Sequence, residues 1–312
     1  MMKGVMFTQQ GVTQIIDEDM PTIGDDQMLL RTRFSGISNG TERSFLMGGP
    51  YGGKKWPNRI GYLTVSEVIE TGAQITDHAV GDIVYTGTYP GHVALHTARQ
   101  SDLIIKVPEE LGQAAATMLG LAGVSFFNTR RIEVSSHDQV LVTGAGGIGL
   151  MAIQSAKHFG AHVTVASRTD HRRELALRMG ADAVVNLTGA DAAEAESDLS
   201  CTALLECAGV ELDPLLNPKC TPLSRFARVA LVAGRERVDY NFLWASMRRI
   251  GFFQSTHFDQ PTLQTVTELA QTGVLDLEGL ISDVVPIDDA VAVYDRLRDD
   301  PMSVGGTVFD WT

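Results

Sequence analysis

The chain has 312 residues, 44% of them hydrophobic and 20% charged, with a formal net charge of −13. That length predicts two domains, or one large one, around a substantial core. The acidity removes any global attraction for phosphate backbones, which argues against a nucleic-acid partner while leaving room for a local basic patch.

The first twelve residues, MMKGVMFTQQGV, turn polar too soon for a secretory apolar core. Short β-type runs follow at 4–8, 28–34, 63–70 and 82–86, broken by glycine and proline, and predict a twisted, mostly antiparallel β domain. The texture changes near Pro108. Small and apolar residues recur at helical spacing over 113–127. Thr117, Gly120, Gly123 and Ser125 interrupt this stretch, and it is too short to span a bilayer, so no membrane partner is expected. After a polar break at 133–138, Gln139-Val-Leu-Val-Thr143 reads as a strand covered on both faces. Helix and strand then alternate: helix 148–159, strand 162–166, helix 171–179, and strands 183–186, 203–206 and 228–233. That alternation implies βαβ units and a doubly wound parallel sheet. The chain closes with an amphipathic helix at 262–272 stopped by Gly273, a strand at 284–286, a helix at 288–298 and a strand at 307–311. This order predicts an α/β chain in which a Rossmann domain, 123–257, is inserted between a β domain, 1–122, and its return segment, 258–312.

No repeat of 20–50 residues and no low-complexity tract interrupts the pattern. The three cysteines, Cys201, Cys207 and Cys220, form no Cys-x-x-Cys pair. Neither a disulfide framework nor a cysteine-rich zinc site is expected, and the simplest compartment is the reducing cytoplasm.

The sharpest local signal is Gly144-Ala-Gly146-Gly147-Ile148-Gly149, between the strand at 139–143 and the following helix. In that setting the glycines permit a tight turn, close approach of a pyrophosphate and close helix–sheet packing, while the helix N-terminus offers N–H groups to an anion. The next strand ends at Val165-Ala-Ser167-Arg168. A site for NAD would place a carboxylate here; Ser167 removes it, and Arg168 and Arg172 put cations where a 2′-phosphate would lie. Arg173 reads more simply as the solvated start of a helix. NADP(H) is the expected cofactor. The later strand ends, Cys207-Ala208 and Ala233-Gly234, are expected beside the nicotinamide, with Cys207 a small core residue rather than a nucleophile.

Several segments together resemble the medium-chain dehydrogenase/reductases. Phe34-Ser-Gly-Ile-Ser38-Asn39-Gly-Thr41-Glu42 is similar to that family's Gly-Ile-Cys-Gly-Thr-Asp. Pro57-Asn-Arg-Ile-Gly61-Tyr62-Leu63-Thr64-Val-Ser66-Glu-Val68 is similar to its Pro-x-x-x-Gly-His-Glu-Gly-x-Gly-x-Val, and Val80-Gly-Asp-Ile-Val84 to its Val-Gly-Asp-Arg-Val. Gly160-Ala161 and Met179-Gly-Ala-Asp182 match helix ends of its nucleotide domain. The resemblance covers nearly the whole chain and implies a GroES-like catalytic β domain around the Rossmann insertion. It also implies a small-molecule substrate and a homodimer or homotetramer. The departures concern metal: the family's zinc ligands fall on Ser38 or Asn39, on Tyr62 and Leu63, and near Leu121, poor or impossible ligands for Zn²⁺. No metal site is therefore expected. Ser38-Asn-Gly-Thr-Glu-Arg43, with the closing Val-Phe-Asp-Trp, looks most like a zinc-free branch that includes bacteriochlorophyllide dehydrogenase-like proteins.

Without zinc, a hydrogen-bond donor must stabilise a developing oxyanion. Tyr62 is the first candidate, with a wall of the pocket as its alternative role. Glu42 and Thr41 follow as proton relay or substrate anchor, Glu42 alternatively pairing with Arg43. Ser38 and Asn39 could bind the substrate oxygen. His92 and His96 read as ordinary surface or packing histidines, since no third ligand is evident. Three functional readings remain open: alcohol–carbonyl oxidoreduction with NADP(H), reduction of a quinone or activated C=C by NADPH, and an NADPH-binding protein without catalysis.

Overall fold

A computed structural model describes residues 1–187, 199–209 and 221–312; Cys220 lies outside them. By internal contacts the chain divides into two compact units, one of residues 1–121, 259–273 and 277–312, the other of residues 122–258 and 274–276.

The first unit opens with a hairpin, β1 (Met2–Gln9) and β2 (Val12–Glu18). Next come β3 (Met28–Gly36), α1 (Asn39–Met47), β4 (Leu63–Thr71), β5 (Ile83–Thr86), β6 (Leu95–Ala98), β7 (Ile104–Lys106) and the single turn α2 (Gln113–Ala116). The helix expected over 113–127 is two helices. Thr117 turns its hydroxyl back onto the Ala114 carbonyl at 2.6 Å, the local bond by which threonine competes with helix propagation. α3 (Leu119–Arg131) resumes two residues later. The loop at 48–53, which reads as mobile from its glycines, is tied to α1: the Ser44 hydroxyl accepts the amides of Tyr51 and Gly52 at 2.8 and 3.2 Å.

The second unit holds β8 (Gln139–Thr143), α4 (Gly147–His158), β9 (His162–Ala166), α5 (Asp170–Arg178), β10 (Ala183–Val185), β11 (Cys201–Glu206), β12 (Leu223–Leu231), α6 (Phe242–Arg248) and β13 (Gly251–Gln254). Its six strands are all parallel in the order β10-β9-β8-β11-β12-β13. Val140, Leu141 and Val142 are almost wholly buried, as a strand with both faces covered requires. Each such side chain contributes roughly 1.5–3 kcal/mol by leaving water. Chain order reverses between β8 and β11, and ligands of open α/β sheets bind at the carboxyl ends of strands beside such a reversal.

The chain then rejoins the first unit as α7 (Gln260–Gln271), β14 (Asp283–Pro286), α8 (Ala290–Asp299) and β15 (Thr307–Asp310). Asp259 caps α7 by accepting the Thr262 amide at 3.0 Å. The first unit's larger sheet runs β14-β15-β3-β4-β5-β7, with β6 also on β3, and is antiparallel except for β14–β15. Phe7, Ile37, Leu46, Tyr294, Leu297 and Phe309 form the core that seats α1 and α8. The chain thus holds a doubly wound parallel sheet in one unit and a mostly antiparallel sheet in the other, the first unit's sequence being interrupted by the second's. No described helix is long and apolar enough to cross a membrane.

Candidate functional site

In the second unit the glycine turn has the form an anion site needs. Gly144 has a φ of +82°, in the left-handed region. A Cβ on Gly149 would stand 1.9 Å from the Gly144 carbonyl oxygen, so the helix can close onto the turn only with glycine there. Gly146 caps α4 with extended backbone, and a Cβ at that position would meet no other atom within 4 Å. The mouth of the turn is therefore open, with Gly147 and Ile148 in the first helical turn, where backbone N–H groups lack partners inside the helix.

The three arginines after β9 have separate fates. Arg168 is exposed, beside the half-buried Ser167. Arg172, expected beside Arg168 at a 2′-phosphate, instead donates to the Ala145 carbonyl at 3.1 Å and so braces the glycine turn from α5. Arg173 donates to the Ser167 carbonyl at 2.7 Å and pairs with Asp170.

At the neighbouring strand ends sits a residue that the sequence reading passed over. Glu206, the last residue of β11, is 0% exposed. One carboxylate oxygen accepts the Thr143 hydroxyl at 3.0 Å and the amides of Ala208 and Gly209 at 3.0 and 2.9 Å. The other pairs with Arg235. The clasp gathers the ends of β8, β11 and β12, and with them the expected cofactor neighbours. A Cβ on Gly144 would lie 3.0 Å from that of Ala208, and one on Gly209 would lie 3.7 Å from that of Ala233. The Ala233 amide donates to the Glu206 carbonyl, and Gly234 follows it in the chain. Burial pushes the Cys207 thiol up to about 12, so it stays protonated and is no nucleophile. An acidic residue ending an otherwise apolar strand was the available signal for this clasp.

The first unit gathers a cluster of hydroxyls. The Ser38 hydroxyl lies 2.9 Å from the Tyr62 phenol oxygen and donates to the Thr41 hydroxyl at 3.3 Å. Burial pushes the Tyr62 phenol up to about 12, against the Ser38 hydrogen bond, so it remains a proton donor across the ordinary pH range. The exposed Tyr89 ring packs on the Tyr62 ring, centroids 5.6 Å apart. Asn39 turns away, donating to the Pro301 carbonyl at 3.2 Å.

Glu42 is not placed as a substrate anchor, and it does not pair with Arg43. It is 0% exposed, and one of its oxygens accepts the Ser38 amide at 2.8 Å. The other accepts the Tyr294 phenol at 2.6 Å and lies 3.2 Å from His92 Nε2. Arg43 donates instead to the carbonyls of Leu297 and Arg298. His96 is a separate buried histidine, 3.0 Å from the Ser66 hydroxyl, and burial lowers it to about 4.

The zinc-binding dehydrogenase family profile matches residues 147–272. An L-threonine 3-dehydrogenase of Anaeromyxobacter sp. (strain Fw109-5) is 29% identical over 71% of this chain, a match that spans 65% of that protein, under two thirds of its length. Another, from Vibrio parahaemolyticus, is 25% identical over 97% of this chain and 96% of its own. Among solved structures, an alcohol dehydrogenase from Escherichia coli CFT073 complexed with NADH has a TM-score of 0.86 at 20% identity, over 99% of each chain. A Sinorhizobium meliloti 1021 structure, described as a zinc-binding dehydrogenase and bound to NADP, has a TM-score of 0.84 at 19% identity, again over 99% of each. The chain thus resembles zinc-binding dehydrogenases in residues 147–272 and L-threonine 3-dehydrogenases along most of its length, and it shares the fold of alcohol dehydrogenases.

The positions on which the sequence resemblance places metal ligands carry other residue types. Ser38 and Tyr62 hydrogen-bond to each other, Leu63, the first residue of β4, is fully buried, and Leu121 is buried in α3. Two hydroxyls and two leucines are not a donor set for Zn²⁺. Among the described residues no three His, Cys, Asp or Glu side chains converge as a metal site. A nicotinamide dinucleotide, by contrast, fits the residues present: the open glycine turn, the helix N-terminus and the exposed Arg168 suit an anionic ligand.

Proposed function

We propose that this chain is a zinc-independent oxidoreductase of the zinc-free branch, acting between NADP(H) and an alcohol or carbonyl substrate. The observation that carries this reading is the Ser38–Tyr62 hydroxyl pair, 2.9 Å apart, at positions where zinc-dependent relatives hold metal ligands. A nicotinamide, when bound, supplies or receives the hydride. Tyr62 donates a hydrogen bond to the substrate oxygen, supplying the stabilisation of developing charge that a metal provides elsewhere. For this Ser38 turns its hydrogen from Thr41 to the Tyr62 oxygen and Thr41 turns its own to Ser38, so that the three hydroxyls form one line of donors ending on the substrate oxygen. Glu42 acts from behind them, through the Ser38 backbone. In the second unit Gly144, Gly146, Gly147, Ile148 and Gly149 hold the pyrophosphate, Ser167 and Arg168 take the 2′-phosphate, and Arg172 keeps the turn in shape.

The threonine and alcohol dehydrogenase relatives support dehydrogenase chemistry. NADH- and NADP-bound neighbours support a nicotinamide cofactor of either kind; the choice of NADP(H) rests on Ser167 and Arg168. The protein is proposed to work in the cytoplasm as a homodimer or homotetramer. The exposed Phe226, Phe242, Leu243 and Met247 support self-association, and light scattering of the purified protein measures it.

Elemental analysis of untagged protein, cofactor titration, and NADPH consumption against carbonyl and enone panels test the proposal together. The expected result is no stoichiometric zinc, tighter binding of NADPH than NADH, and turnover of carbonyls. About one zinc per chain with chelator-sensitive activity would overturn zinc independence. Turnover of enones alone would make the protein a C=C or quinone reductase, and tight NADPH binding without turnover would make it a non-catalytic binder.

A further inference from the structure

Behind the hydroxyl cluster a line of side chains runs from the half-buried Trp311 through the buried Ser35 and His92 to Glu42. Trp311 Nε1 donates to the Ser35 hydroxyl at 2.9 Å, and the Ser35 hydroxyl lies 2.8 Å from His92 Nδ1. His92 Nε2 is 3.2 Å from Glu42, whose other oxygen accepts the Ser38 amide. Ser35, His92 and Glu42 have the composition of a hydrolytic triad, but Ser35 is 1% exposed and its oxygen already accepts the indole N–H. It has no room to attack a substrate.

The order of donors gives the chain a direction. An indole N–H only donates, and an ionised carboxylate only accepts. With the proton on His92 Nε2, every contact is satisfied: Trp311 gives to Ser35, Ser35 gives to Nδ1, and Nε2 gives to Glu42. With the proton on Nδ1 alone, a bare Nε2 would face a carboxylate oxygen, two acceptors in contact. With both nitrogens protonated, Ser35 would receive two donors and its own hydrogen would need another acceptor. Among the described residues the Ser35 side chain has no hydrogen bond beyond those to Trp311 and His92.

The chain ends at the cap of α1. Ser38 is the N-cap residue, yet its hydroxyl makes no capping bond. Glu42, one turn into the helix, reaches back to the Ser38 amide instead, half of a capping box shifted by one residue. The Ser38 hydroxyl is thereby left to meet Tyr62.

We propose that His92, protonated on Nε2 and oriented by Ser35 and Trp311, is a positioning residue. Together with Tyr294 it fixes Glu42, Glu42 fixes Ser38, and Ser38 presents its hydroxyl to Tyr62. This rests on the reading that Tyr62 acts on the substrate oxygen. Two measurements on the full chain test it. In substrate-free protein labelled with ¹⁵N-histidine, long-range ¹H–¹⁵N spectra identify the signals lost in His92→Gln. Those signals should show a protonated Nε2 and a bare Nδ1; a protonated Nδ1 overturns the inference. In turnover with NADPH and the fastest ketone of the panel, His92→Phe should lower kcat about ten- to hundredfold, the scale of a small misplacement of a reacting group. NADPH affinity should stay unchanged, and His92→Gln, which keeps an N–H, should recover most of the rate. If His92→Phe does not fold, Trp311→Phe, which deletes only the terminal donor, should lower kcat in the same sense with NADPH affinity unchanged. Equal losses in kcat and NADPH affinity, or an unchanged kcat in folded protein, overturn the inference. Tyr62→Phe run alongside separates the failures: if it too is unaffected, the reading of Tyr62 has failed, and if it alone is slow, the positioning chain has failed.

Discussion

Among the described residues each unit of this protein buries one glutamate completely, and the two are stabilised in opposite ways. Glu206 meets a cation, Arg235, and three neutral donors at the ends of three parallel strands. Among the described residues Glu42 meets no arginine or lysine; it is held by a backbone amide, a phenol and an imidazole. A carboxylate with a permanent counter-charge and several N–H donors is a rigid clasp, and its loss is felt as stability. A carboxylate held by hydrogen bonds alone keeps its position only while each donor is aimed correctly, and its loss is felt by whatever it aims in turn. The contrast assigns scaffolding to Glu206 and fine positioning to Glu42.

The largest effect expected is on chemistry. Tyr62→Phe should reduce turnover about 10²- to 10⁴-fold, the range of positioned acid–base groups, with NADPH affinity intact by titration. Unchanged turnover would make Tyr62 a wall of the pocket and remove the catalytic meaning of the Glu42 side of the comparison. Next in size, Arg235→Leu should destabilise the protein by about 3–5 kcal/mol, because it leaves Glu206 buried without its cation. Urea denaturation measures this, and a loss within about 0.5 kcal/mol, usual for exposed surface changes, would dissolve the clasp.

His96 is a third case, buried beside a neutral serine. Burial lowers it from 6.5 to about 4, so the unfolded chain takes up a proton that the folded chain refuses. Stability is full above pH 6.5 and falls as pH drops from 6.5 towards 4, by about 3 kcal/mol at most. His96→Leu should lose less stability than wild type between pH 7 and pH 5 in urea titrations; parallel losses would assign the acid sensitivity to other groups. The smallest effect concerns the exposed Arg168. A hydrogen bond to a charged group is worth roughly 1.5–3 kcal/mol, so Arg168→Ala should weaken NADPH about ten- to hundredfold. NADH should barely change, and added salt should narrow the wild-type preference. Equal losses for both cofactors would move Arg168 to a structural role, and a wild type preferring NADH would reverse the assignment.

The nucleotide unit was largely legible in the sequence. The strands at 139–143 and 162–166 stand where their apolar runs place them, and α4 begins within one residue of the expected start. Parallel strands are continuous apolar segments and the phosphate turn is contiguous, so neighbours in sequence carry the signal. The β unit was read less completely. β2, with its mixed Val-Thr-Gln-Ile-Ile-Asp-Glu, and α1, hidden inside a motif read for its ligand positions, have weak local periodicity. Their stability comes from packing on α8 and the core around Phe7, Leu46 and Tyr294.

By itself the sequence determined the doubly wound sheet and the glycine turn, and it set Ser38, Asn39, Tyr62, Leu63 and Leu121 at the positions where the resemblance expects metal ligands, since each is a matter of which residue types stand in a row. Only the tertiary structure decided which side chains meet. Glu42 finds His92 and Tyr294 from 50 and 252 residues away, and Glu206 finds Arg235 across a strand crossover. Hydrogen bonds and ion pairs act over a few ångströms of space, and separation along the chain leaves no periodic trace for a sequence to show.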